Sequence, residues 1–179
     1  MKPLFTFLFV CFCSGFFCFS QEGEKLLQAP SDWRYEQLKL PLPFAPSIPL
    51  KGYEEVYFAP GWDNPESEAF WTYAFAWILE EAETIEKVKM VEYLTAYYDG
   101  LMKVVGQFNT VETTISLKST SNGYEGKVQT LDGFFTKDTI HLNLTIEKQS
   151  EGKLWLFRLS PKDREHPVWE ILNTIKLAN

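Results

Sequence analysis

The sequence contains few cysteines, and all of them lie near its start. Cys11, Cys13 and Cys18 are the three cysteines, and each precedes Gln21. A chain that loses its first twenty residues would therefore contain no thiol, which excludes disulfide bonds and cysteine-ligated metals. Such a domain depends on its hydrophobic core rather than on cross-links, and 179 residues are enough to form one.

Basic residues and histidines are also scarce. The chain has 17 Lys and Arg against 24 Asp and Glu, a net charge of −7, and two histidines. This acidic balance argues against nucleic acid and against anionic membrane surfaces as partners. The sequence also lacks a serine elbow, a zinc-protease helix motif and a phosphate-binding loop. We therefore assign no catalytic residue, no metal ligand and no cofactor from the sequence.

Long apolar runs are confined to the first twenty residues. Lys2 is followed by the apolar stretch Leu4–Phe19, and Cys18 and Ser20 occupy the −3 and −1 positions before Gln21. This pattern predicts a cleaved signal peptide over residues 1–20 and an exported protein, periplasmic or extracellular, without stable membrane insertion afterwards. The alternative is a lipoprotein signal with Cys18 lipidated, which the two preceding phenylalanines disfavour.

The remaining chain divides into a short polar segment and one domain. Residues 21–32 are polar and predict a flexible tether, and residues 33–179 predict a single domain. Phe70–Leu79 alternates by size, with large residues at odd positions and small ones at most even positions. This alternation predicts a central strand that is covered on both faces. Asn64 and Pro65 before it predict a single helical turn over Pro65–Ala69.

Apolar residues at helical spacing follow this strand. The spacing predicts a helix over Thr84–Val105, capped by Thr84. Its expected apolar stripe comprises Ile85, Val88, Val91, Leu94, Tyr98, Leu101 and Val105. Gly100 lies inside the helix, and its missing side chain predicts a close approach to the small residues Thr72, Ala74 and Ala76.

Four alternating segments and a final helix complete the domain. Ser121-Asn122-Gly123 predicts a hairpin turn, and Thr139–Glu147 predicts a strand whose even-numbered residues face inward. Pro167 predicts the start of a C-terminal helix. The order of elements predicts an α+β fold, with one twisted antiparallel sheet of about six to seven strands packed against a long central helix and the C-terminal helix.

Four residues are candidates for ligand binding. Trp62 and Asp63 follow the Pro60-Gly61 turn, where loops often carry function. His141 and Asn143 lie on the predicted outward face of one strand, where a polar site is conceivable beside the simpler interpretation of a solvated sheet face.

Three stretches together resemble a known group of proteins. They are Phe58-Ala59-Pro60-Gly61-Trp62, the run Phe70 to Phe75, and Tyr97-Tyr98-Asp99-Gly100-Leu101. Over about Trp33 to Leu101 the chain resembles an uncharacterised family of small secreted proteins of Gram-negative bacteria, notably Bacteroidetes. The resemblance implies an exported location, and it implies no activity and no catalytic residue.

Two functional hypotheses follow from these observations. The first is a secreted or periplasmic non-enzymatic domain that binds an unknown ligand or protein partner through its aromatic residues. The alternative is an envelope or extracellular hydrolase that uses carboxylates and His141. A pocket with converging acidic or histidine side chains would favour the enzyme, and a flat or filled surface would favour the binding domain.

Overall fold

The computed structural model describes residues 25–106 and 111–178, so the predicted signal peptide lies outside the described chain. Nine strands and two α-helices are present in these ranges. In chain order they are β1 Leu27–Gln28, β2 Arg34–Leu40, β3 Gly52–Phe58, β4 Tyr73–Leu79, α1 Lys87–Val104, β5 Thr114–Thr120, β6 Gly123–Leu131, β7 Thr139–Gln149, β8 Leu154–Ser160, α2 Val168–Thr174 and β9 Lys176–Leu177.

Seven strands form one antiparallel sheet in the order β2-β3-β4-β8-β7-β6-β5, and β1 pairs separately with β9. This arrangement confirms the predicted α+β fold with a seven-stranded antiparallel sheet, whereas the separate β1–β9 pair was not predicted. The predicted hairpin is also confirmed, because Thr120 pairs with Gly123 across the two residues Ser121 and Asn122.

Strand β4 lies inside the sheet, and all seven of its residues are buried. Its large side chains pack on the α1 side of the sheet and its small ones on the opposite side. Phe75, for example, pairs with Val56 on β3 and with Phe157 on β8, and its ring stacks on that of Phe157 at 4.3 Å. The predicted central strand with two covered faces is therefore confirmed, although it begins at Tyr73 rather than Phe70.

The helices are shorter than predicted. Helix α1 has 18 residues and α2 has seven, so the expectation of a long central helix was wrong. Helix α1 begins after Glu86, which makes no side-chain cap bond, and Thr84 therefore does not cap it. Its buried face is also rotated from the predicted stripe, since Val88 is 69% exposed. The buried residues are Met90, Tyr93, Leu94, Tyr97, Tyr98, Gly100 and Met102.

Gly100 permits a close approach, but to a different segment from the one predicted. A Cβ atom built on Gly100 would lie 2.0 Å from the carbonyl oxygen of Phe44. The contact is therefore with the segment between β2 and β3. The predicted approach of Gly100 to Thr72, Ala74 and Ala76 was wrong. Those three residues lie on β4 or just before it and are buried.

The opposite side of the sheet is covered by α2 and by both ends of the described chain. Leu27 on β1 is buried there with Trp169 and Leu172 of α2. The Glu55 carboxylate accepts hydrogen bonds from the backbone N–H groups of Leu26 and Leu27, at 2.8 and 3.2 Å. Residues 25–32, which the sequence predicts as tether, thus include a segment that is hydrogen-bonded to the domain.

Replacement of Trp77 by alanine should destabilise the protein far more than replacement of Trp62. Trp77 is fully buried on β4, so its loss leaves a cavity that costs roughly 3–5 kcal/mol. Trp62 is half-buried in a loop, and loss of its ring contacts should cost about 1 kcal/mol. Urea unfolding of both variants measures the difference. Equal losses would show that Trp62 anchors the core.

Candidate functional site

Two loops lie at the same end of the sheet. Residues 59–72 join β3 to β4, and residues 132–138 join β6 to β7. The first loop is closed at its base, where the Ala59 N–H donates to the Thr72 carbonyl at 3.1 Å. Across its middle, the Trp71 N–H donates to the Trp62 carbonyl at 2.9 Å. These bonds fold the loop back on itself and fix the position of Trp62.

Pro65–Ala69 forms turns rather than the predicted helical turn. The Asn64 side-chain oxygen accepts from the Glu66 N–H at 3.1 Å, as a helix cap would, but the chain turns again at Ser67. The reason is that the Ser67 hydroxyl accepts from the Ala69 N–H at 3.1 Å and closes a second turn. Side-chain oxygens thus compete with helical bonds here.

The second loop is organised by Asp132, which is fully buried. Its carboxylate accepts hydrogen bonds from the backbone N–H groups of Phe134, Phe135 and Thr136, at 3.1, 3.0 and 2.8 Å. The Thr136 hydroxyl donates to it as well, at 2.7 Å. Four donors on one carboxylate make this a well-defined turn, and it presents Phe134 and Phe135 towards the first loop.

Side chains from the two loops and from the end of β3 form an aromatic cluster. The Phe58 and Trp62 ring centroids are 4.2 Å apart, and the Trp62 ring meets that of Phe135 edge-on at 5.3 Å. Phe135 also contacts Phe70 at 5.8 Å. All members except Trp71 are half-buried. The aromatic cluster consists of Phe58, Trp62, Phe70, Trp71, Phe134 and Phe135.

Trp71 lies at the base of the cluster in an unusual conformation. Its φ angle is 51°, in the left-handed region, which costs of order 1–3 kcal/mol for a residue other than glycine. The side chain is 3% exposed, and its indole nitrogen has no hydrogen-bond partner within the described residues. Backbone strain and an unsatisfied hydrogen-bond donor therefore occur at the same residue, beneath the half-buried rings of the cluster.

The first loop also carries exposed acidic residues. Asp63 is exposed next to Trp62, and Glu68 lies further along the same loop. The Glu68 carboxylate accepts from Lys162 at 2.6 Å and lies 3.2 Å from the His166 ring. The hydrogen bond from Lys162 lowers the pKa of Glu68. This contact joins the first loop to the segment that follows β8.

The structure divides the four predicted site residues between two places. Trp62 belongs to the aromatic cluster and Asp63 lies beside it. His141 and Asn143 instead lie on the outward face of β7, as predicted, since their even-numbered neighbours are buried on the α1 side. Asn143 donates to the Lys162 carbonyl at 3.0 Å, and His141 is exposed opposite Gln129. The four residues therefore do not form one site.

A buried polar network surrounds Glu54, a residue that the sequence patterns did not mark as a candidate. Glu54 is fully buried on the α1 side of β3. Its carboxylate accepts from the Trp77 indole N–H at 2.8 Å and from the Tyr97 hydroxyl at 3.2 Å. Nearby, the hydroxyls of Tyr73 and Tyr98 share a hydrogen bond of 2.6 Å. Burial raises the pKa of Glu54 to about 8 and also raises the pKa of both tyrosines.

One sequence signal for this network was available. Glu54 and Glu55 are consecutive acids inside the apolar strand β3, so at least one of them must point into a covered face. Because Glu54 is fully buried and its carboxylate is hydrogen-bonded to Trp77 and Tyr97, the network contributes to the packing of the core.

Comparison with protein-family models, curated proteins and solved structures finds no match for this chain.

Within residues 25–106 and 111–178, no group of three His, Cys, Asp or Glu side chains could hold a metal ion. None of the described helices is long and apolar enough to cross a bilayer. The half-buried rings of the aromatic cluster offer apolar and π contacts at the surface.

Glu54 should make stability depend on pH. The pKa of Glu54 is about 8 in the folded protein, against the ordinary value of 4.5 that applies in the unfolded chain. Between these two pH values the folded protein keeps a proton on Glu54 that the unfolded chain releases. The free energy of unfolding should therefore fall as the pH rises from about 4.5 to about 8, by at most about 1.4 kcal/mol per pH unit from this group. Glu54→Gln should remove this contribution.

Urea unfolding at pH 5, 6, 7 and 8 measures this effect. Glutamine can accept from Trp77 and donate to the Tyr97 hydroxyl, so the variant should fold. Glu112→Gln is the matched control, because it makes the same chemical change at an exposed residue. An unchanged pH dependence in Glu54→Gln would contradict the assignment.

Proposed function

We propose that the protein is an exported, non-enzymatic domain that binds a ligand or protein partner through its aromatic cluster. The observation that carries this proposal is the set of half-buried rings held on two hydrogen-bonded loops. Loops presented by a rigid scaffold are common sites of binding. Asp63, exposed beside Trp62, supplies a polar group at the edge of this surface.

Preorganisation supports the proposal energetically. Aromatic side chains contribute large contact areas, and binding at a fixed surface avoids the cost of ordering loops. The Asp132 turn and the closed base of residues 59–72 fix both loops before any partner arrives. Trp71 adds strain and an unsatisfied donor at the same place, a combination that is more frequent at functional sites than elsewhere.

No observation favours the alternative of a hydrolase using carboxylates and His141. Among the described residues, no carboxylate is hydrogen-bonded to His141, and His141 is exposed on the face of the sheet. The most perturbed carboxyl group, that of Glu54, is fully buried on the other side of the sheet. The two therefore do not form an acid–base pair.

A photocrosslinking experiment tests the binding proposal. Benzoylphenylalanine is introduced in place of Trp62 in the full-length protein, which is then produced and irradiated in its host. We expect a discrete, higher-mass adduct that is reproducible between preparations. The matched control carries the same group in place of Phe44, which is also half-buried but lies between β2 and β3. An adduct yield at position 62 no greater than at position 44 would contradict the proposal.

Export is part of the proposal and has its own test. The signal-like residues 1–20 and the resemblance to secreted proteins support it, and cleavage should leave Gln21 as the first residue. The intact mass of protein recovered from the periplasm or the medium measures the cleavage point directly. A mass that includes a lipid on Cys18 would place the protein on a membrane, and a retained N-terminus would contradict export.

A further inference from the structure

The two edges of the seven-stranded sheet differ in how they are protected from further pairing. Strand β2 carries Arg34 and Glu36, which form an ion pair, together with Lys39, and it is followed directly by Pro41. Charged residues and proline are the usual means of blocking an edge strand. The other edge, β5, has the sequence Thr-Ile-Ser-Leu-Lys-Ser-Thr, with one charge and no proline.

The backbone of β5 has groups that point away from the sheet. A Cβ atom built on Gly126 would lie 1.8 Å from the Ser116 carbonyl oxygen, so this carbonyl points towards β6. Because successive residues of a strand alternate, the N–H and C=O groups of Ile115, Leu117 and Ser119 point outward. Within residues 25–106 and 111–178, these groups have no hydrogen-bond partner, since β5 pairs with β6 alone.

We propose that β5 pairs with β5 of a second copy of this chain, antiparallel, about a two-fold axis at Leu117. This register overlaps all seven residues of the strand. It places Ile115 opposite Ser119 of the partner subunit. The outward N–H and C=O groups of the two strands can therefore form hydrogen bonds with each other. Thr114 then lies opposite Thr120 of the partner subunit, and Ser116 opposite Lys118 of the partner subunit. Two seven-stranded sheets would join into one continuous sheet.

Charge and side-chain composition favour a second copy as the occupant. In this register no like charges lie directly opposite one another, which would be destabilising. Sliding one pairing step towards the hairpin would set Lys118 opposite Lys118 of the partner subunit, and sliding one step the other way would pair only residues 114–118. The register about Leu117 avoids the like-charge pair and overlaps the whole strand. Pairs of hydroxyl-bearing residues across strands are also favourable. A two-fold, self-complementary contact of this kind is the commonest arrangement in soluble oligomers.

Because one strand pair buries little area, the dimer should form in a concentration-dependent way. Sedimentation velocity of the unmodified protein should show monomer at low concentration and dimer at high concentration. In the same range, hydrogen exchange at the amides of Leu117 and Ser119 should slow several-fold, whereas the amide of Lys118, already paired with β6, should not change. A protein that stays monomeric and exchanges at a constant rate would overturn the proposal.

Variants of Ser119 separate edge pairing from other contacts. Ser119→Pro removes an outward N–H that β6 does not use, and proline is tolerated at such an edge position. We expect this variant to remain monomeric at every concentration. Ser119→Ala keeps the N–H and should dimerise like the unmodified protein. Circular dichroism confirms folding. A folded Ser119→Pro variant that dimerises normally would overturn the proposal.

A pair of charge variants keeps the test decisive if the proline variant fails to fold. Ser116 is exposed and lies opposite Lys118 of the partner subunit in the proposed register. Ser116→Lys should therefore weaken the dimer and Ser116→Glu should strengthen it, each by several-fold in the dissociation constant. Equal affinities for these two variants would exclude this register. None of these substitutions changes a residue of the aromatic cluster, so the crosslinking test at Trp62 is a separate experiment with its own outcome.

Discussion

The structure depends on the burial of β4 on both faces. Its large side chains complete the core beneath α1, and its alanines allow α2 and the two chain ends to approach the opposite face. A strand that is buried on both sides must have every backbone group paired, because water cannot substitute there. Its neighbours β3 and β8 supply those bonds along its length. This requirement places β4 inside the sheet, with a hydrogen-bonded neighbour on each side.

Much of this architecture could be predicted because alternation is a local property of the sequence. The size pattern of β4 specified its two faces, and Ser121-Asn122-Gly123 specified the hairpin between β5 and β6. The helix was less predictable, since tyrosine and methionine can either be buried or exposed on amphipathic surfaces. Tertiary packing rotated the buried face of α1 towards Met90 and Tyr97, and left Val88 in solvent.

The candidate site was only partly predictable, since most of its contacts join residues far apart in the chain. The sequence indicated Trp62 from its turn but could not show that Phe135 would meet it. Asp132 looked like an ordinary turn residue, although its buried carboxylate organises a whole loop. Glu54 is a similar case, because the partners that make its burial tolerable, Trp77 and Tyr97, come from β4 and α1.

The pairing of β1 with β9 has a consequence for how the domain is completed. Leu27 pairs with Leu177, so residues near both ends of the described chain must meet before the outer layer can close. Closing so long a loop is entropically unfavourable until the intervening sheet has formed. We therefore expect the β1–β9 pair, which brings Leu27 into the same layer as Trp169 and Ile175, to form only after the sheet. During synthesis, which begins at the N-terminus, β1 therefore has no pairing partner until Lys176 and Leu177 have been made.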